Sequence, residues 1–120
     1  MSALSPDAFI AELNNPEQNI DFEDCIAMIN THYHYTPTRF INGLSETKVI
    51  NEAGQNEGSC RIFAFAQLMS LDQRMTLLCF GRFYQQVKAT PEGTDHQNIR
   101  NFMKDSWAGI HFDGKALALI

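Results

Sequence analysis

The sequence predicts an α+β domain, predominantly helical, with about five helices around a buried central helix at 59–69 and a small antiparallel β element. Three observations predict it. Cys60 to Met69 is apolar at eight of its ten positions, on every side of a helix, and a helix without a polar face belongs in the interior. Amphipathic stripes with recognisable starts lie on both sides of it. Short aromatic and β-branched pairs, Phe40-Ile41 and Val49-Ile50, sit beside turn signals.

The first helix opens at Ser5-Pro6-Asp7. Ser5 can cap, Pro6 suits the first turn, and Asp7 favours the positive end of the helix dipole. Phe9, Ile10 and Leu13 form its stripe, and Asn14-Asn15-Pro16 ends it. Asp21 begins a second helix, with Glu23 and Asp24 in its first turn and Phe22, Cys25, Ile26, Met28 and Ile29 toward the core. His32-Tyr33-His34-Tyr35 alternates, so an extended chain would show two imidazoles on one face and two phenols on the other. Residues 38–51 read as a hairpin. It reverses either at Asn42-Gly43, which tolerates positive φ, or at Ser45-Glu46-Thr47-Lys48.

Asn51 to Ser59 is the most polar uninterrupted stretch, and it leads into the central helix. Ser70-Leu71-Asp72-Gln73 then reads as a capping box opening a long helix that runs through Met75, Leu78, Phe80, Phe83, Tyr84 and Val87. Gly81 costs about 1 kcal/mol inside such a helix. Thr94-Asp95-His96-Gln97 reads as a second capping box, before Ile99, Phe102 and Met103. Ile110-His111-Phe112, Asp113-Gly114 and Lys115 to Ile120 read as strand, turn and strand of a second hairpin, or else the last stretch is a frayed tail.

The 120 residues suit one domain spanning 1–120. The net charge of −5 is unevenly placed. Residues 1–58 hold nine acids against two bases, and residues 59–120 hold five against seven. Nucleic-acid and anionic-membrane roles are disfavoured, because phosphate binding draws on clustered Lys and Arg. Cys25, Cys60 and Cys79 are an odd number with no CxxC spacing, as expected of free thiols in a reducing compartment. No apolar run approaches the roughly 18 residues that span a bilayer. Met1 to Leu13 has neither the basic start nor the apolar core of a secretory signal.

Three long strings are similar to the HopJ type III effector family. They are the run from Asn51 to Ala66, the run from Thr90 to Met103, and Trp107 to Ile110. Tyr35-Thr36-Pro37-Thr38, Phe40 and Asn42-Gly43 fit as well. Leu44 to Lys48 is longer than the family's hairpin tip, and the tail from Lys115 has no match. The resemblance implies an effector or effector-related protein acting on a host or bacterial partner. It would be made in the bacterial cytoplasm and could be passed into a host cell. The family brings no agreed catalytic residues, so none is carried over, and no cofactor is implied.

Two polar regions could carry chemistry. The first is Asn51, Glu52, Asn56, Glu57, Ser59, Cys60 and Arg61. If Ser59 caps the central helix, Cys60 lies in its first turn, where the dipole can lower a thiol pKa. The same helix start could hold a phosphate or carboxylate on free amides, although the GK[ST] ending of a P-loop is missing. The plain alternatives are a buried filler cysteine and a loop that hydrogen-bonds to itself. The second region is Thr94, Asp95, His96, Asn98, Arg100 and Asn101, where His96 could act as acid, base or donor. Contact between the regions would make one site for a small enzyme or small-molecule binder. A metal site on His32 and His34 would need a third ligand such as His111 or Asp95, and surface histidines are the simpler reading.

Overall fold

The structure, a computed structural model, describes residues 4–120. Met1–Ala3, the start of the stretch read for a secretory signal, lie outside the described residues. The elements run in the order α1 (Pro6–Leu13), α2 (Phe22–His32), β1 (Tyr33–Tyr35), β2 (Phe40–Asn42), β3 (Val49–Asn51), α3 (Glu57–Leu68), α4 (Gln73–Leu78), α5 (Arg82–Ala89) and α6 (Gln97–Asp105). A 3-10 turn (Ser106–Gly109) and strands β4 (Ile110–Phe112) and β5 (Leu117–Leu119) follow. The fold is α+β, with helices predominating.

α3 is the central helix. Cys60 and every residue from Ile62 to Ala66 are buried, and rings arrive from several elements. Phe9 and Tyr33 meet Phe65 edge-on, and Phe40, Phe80, Phe102 and Trp107 surround Phe63. The uniform apolarity of this stretch thus corresponds to burial on most of its circumference. Its boundaries fall slightly earlier than 59–69.

The described residues contain six helices rather than five. The long helix expected after Asp72 breaks at Cys79–Gly81, where Gly81 adopts φ +55. A Cβ there would collide with the Asp21 carboxylate and the Phe22 backbone. Asp21 sits against the break. Its Oδ1 accepts from the Phe22 amide (2.8 Å) and also from the Arg82 amide (2.9 Å), so one carboxylate caps both α2 and α5. Gly81 marks a helix start, not a helix interior.

Both capping boxes read at Ser70 and Thr94 are also corrected. α4 is capped by Asp72, whose carboxylate accepts from the Met75 amide at 2.8 Å. Gln73 instead donates to the Phe102 and Met103 carbonyls at the end of α6. α6 begins at His96, in left-handed geometry and without a side-chain cap.

The hairpin pairs Phe40 with Asn51, Ile41 with Ile50 and Asn42 with Val49, so residues 43–48 make the reversal. The second hairpin does not form. β4 pairs antiparallel with β2, giving the order β3-β2-β4, while β5 crosses the molecule to pair with β1. Leu117 is buried on that last strand, so the tail is anchored.

Candidate functional site

The two polar strings meet. Their junction is a cluster of asparagines, buried apart from Asn56, between the β2–β3 hairpin and the start of α6. Asn98 Nδ2 donates to Asn51 Oδ1 (2.9 Å), and Asn98 Oδ1 accepts from Asn51 (3.2 Å) and Asn42 (3.0 Å). Asn56 Nδ2 donates to the same Asn51 Oδ1 at 2.7 Å. Asn101 donates to the Asn42 and Thr47 carbonyls and accepts from Gln97. Asn42, Asn51, Asn98 and Asn101 are all buried. A buried amide without partners is costly, so this cluster holds the two helix starts in one relation. Asn42 Oδ1 alone among these side-chain atoms is enclosed and without a partner among the described residues.

Beside the cluster lies a cleft of about 490 Å³. One wall is the start of α3, with Asn56, Gly58 and Ser59, and the facing wall is the start of α6, with His96 to Ile99. Phe22, Val49, Phe80 and Phe83 supply an apolar side. Asn56 and His96, which precede the two helices, share one conformation, φ 50 with ψ 49 and 48 respectively, and neither side chain caps its helix. The amides of Glu57, Gly58 and Ser59, and those of Gln97 and Asn98, accordingly have no acceptor among the described residues. Helix starts of this kind favour negative charge.

His96 packs against Phe83, ring centroids 5.3 Å apart, and its Nε2 lies 3.1 Å from Gln86 Oε1. Asp95 turns from the cleft to Arg100, 2.6 Å away, and the Arg100 guanidinium, ahead of other influences, holds this carboxyl below its ordinary range. Arg100 also bonds the Thr90 carbonyl and hydroxyl and so pins the turn containing Thr94.

Cys60 is not among the residues lining the cleft. Its amide already bonds Asn56 O, so it lies past the free amides of α3. Its thiol donates to the Thr38 carbonyl (3.6 Å), and burial pushes its pKa up. Glu57 lies near Tyr35, whose hydroxyl is enclosed and, through burial first and Glu57 second, is held well above the ordinary phenol range. Arg61 stacks over the Tyr35 ring at 3.8 Å and donates to Asn30. Glu52 pairs with Arg39 at 3.4 Å on the surface. Of the thirteen candidate residues, Asn56, Ser59, His96 and Asn98 line the cleft, and Asn51 and Asn101 support it from within. Glu52, Glu57, Cys60, Arg61, Thr94, Asp95 and Arg100 are not among its lining residues.

The apolar side of the cleft was not legible as a site. Phe22 and Phe83, 5.1 Å apart and edge-on, sit on helical stripes that look identical to core stripes. His32 closes α2 while His34 lies on β1, so the imidazoles do not share a strand face. Among the described residues no group of three or more His, Cys, Asp or Glu side chains could hold a metal ion.

These features define a class: a small α+β domain whose polar side chains brace a mixed apolar and polar cleft. The chain belongs to the HopJ type III effector protein family, whose model matches residues 6–117. It is also similar to the crystal structure of VPA0580, a protein of unknown function. The two share 44% sequence identity with a TM-score of 0.89, over 98% of this chain and 95% of that one. No curated protein matches the chain. No helix among the described residues is long and apolar enough to cross a membrane.

Proposed function

We propose that the protein acts as an effector by binding a partner protein, host or bacterial, through the cleft between the starts of α3 and α6. The observation that carries this reading is the division of labour in the cleft. Its asparagines are spent on one another, while Phe22 and Phe83 stand half-buried at its apolar side. Such an arrangement keeps a recess in shape for a side chain to enter. Binding rather than covalent chemistry is supported by the position of Cys60, enclosed behind the α3 start and bonded to Thr38. Family membership supports, as part of the same reading, delivery into a host cell through a type III system after synthesis in the bacterial cytoplasm.

A second reading, a small-molecule binder, is favoured by one observation. The volume of about 490 Å³ lies within the ordinary range for ligand pockets, which are largely apolar with a few placed polar groups.

A photoreactive phenylalanine analogue at Phe83 tests the first reading, with the same analogue at exposed Glu17 as control. In host-cell or bacterial extract, Phe83 should give a discrete protein adduct and Glu17 should not. Ser59→Trp, which fills the cleft, should abolish the adduct. Equal adducts from both positions, or one that survives Ser59→Trp, would refute the proposal. A compound that raises Tm in the wild type but not in His96→Ala or Ser59→Trp, with no protein adduct, would select the second reading.

A further inference from the structure

α5 and α6 also bound a second recess, separate from the cleft and of about 550 Å³. It is lined by Val87, Lys88, Pro91, Arg100, Met103 and Lys104. Val87, 2% exposed, makes an apolar floor, and Met103, 38% exposed, lies open beside it. Every ionisable side chain in the lining is cationic, in a chain of net charge −5.

The three cations are not equivalent. Arg100 is spent internally, on Asp95 and Thr90. The Lys88 ammonium rests 4.5 Å from the Tyr84 ring centroid, and Lys104 Nζ lies 3.0 Å from Ser45 Oγ. Among the described residues, neither lysine has a carboxylate within ion-pair distance; the pairs that form involve Arg39, Arg82, His96 and Arg100. Lys88 and Lys104 stand in the last turns of their helices, where the dipole favours positive charge. That accounts for lysine at these positions. It does not account for an apolar floor between them or for a lining without an acid, the acid beside Arg100, Asp95, being paired with it.

From this charge complementarity we infer that the recess docks an acidic segment of a partner protein. Carboxylates of the segment pair with Lys88 and Lys104, and an apolar side chain between them seats on Val87, Pro91 and Met103. Two available ammonium groups suit a short peptide. They are too few for nucleic acid, whose affinity rests on many phosphate contacts, or for an anionic membrane, which draws on clusters of about four to eight cations. This surface shares no lining residue with the α3–α6 cleft.

The probe is a fluorescein-labelled, amidated peptide in which pairs of glutamates alternate with leucines, followed by fluorescence anisotropy. Binding should weaken severalfold between about 50 and about 200 mM NaCl. Lys88→Glu with Lys104→Glu should weaken it about tenfold or more, while Arg74→Glu with Lys115→Glu, placed elsewhere, should not. Met103→Ala should weaken binding without changing its salt dependence. Thermal melts establish that each variant is folded; the glutamine pair Lys88→Gln and Lys104→Gln replaces the reversal if the latter unfolds. Equal peptide binding by both double variants would overturn the inference. So would tighter binding to phosphatidylserine vesicles or single-stranded DNA than to the peptide. Wild-type self-association in sedimentation, lost in the reversal variant, would overturn it in favour of a second copy of the chain.

Discussion

Asn98 shows how much one side chain can decide. It sits at the start of α6 and accepts from Asn42 and Asn51 while donating to Asn51. Removing it leaves buried amides on the hairpin short of partners. Asn98→Ala is therefore expected to cost about 1–3 kcal/mol, measured by urea denaturation. A loss within experimental error would mean the cluster is not a brace. The density of asparagines in the two strings is visible in the chain, and their polarity raises the expectation of contact. Asn42 was not visible as a member, because in sequence it looked like half of a turn signal. A side chain's partner is a property of distance in space, and Asn42 lies fifty-six residues from Asn98.

At the scale of elements, periodicity located the helices and capping chemistry misplaced several of their starts. Ser5 and Asp21 behave as read. Ser59 and Thr94 do not cap, because α3 and α6 begin from left-handed Asn56 and His96. The break between α4 and α5 is the clearest case. A glycine in a helical pattern is ambiguous until the neighbour is known, and here the neighbour is the Asp21 carboxylate. Gly81→Ala should lower stability by about 2–3 kcal/mol, through both its positive φ and the collision with α2. Denaturant unfolding checks this, and a neutral substitution would imply that α4 and α5 can merge into one continuous helix.

At the scale of the molecule, acid sensitivity and strand pairing both depend on distant parts of the chain. The Arg82 amide first, and the Phe22 amide second, hold the Asp21 carboxyl below its ordinary value, and Arg100 does the same for Asp95. A carboxyl with a lowered folded pKa stabilises above its unfolded pKa, near about 4, and that contribution is lost as pH falls through the folded value. Tm should therefore drop below about pH 4. Asp21→Asn should have a lower Tm at neutral pH and a shallower acid loss, and an acid limb unchanged in Asp21→Asn would exclude this carboxylate as its source. The chain alone determined the fold class, the buried central helix and the two polar strings, because apolar period and composition are local and survive without knowledge of neighbours. Only the tertiary structure decided that β5 returns to β1, that α4 and α5 are separate, and that Phe22 and Phe83 line a cleft instead of filling the core. Each of those outcomes depends on which surfaces far apart in sequence are pressed together, and no local pattern of residues encodes that choice by itself.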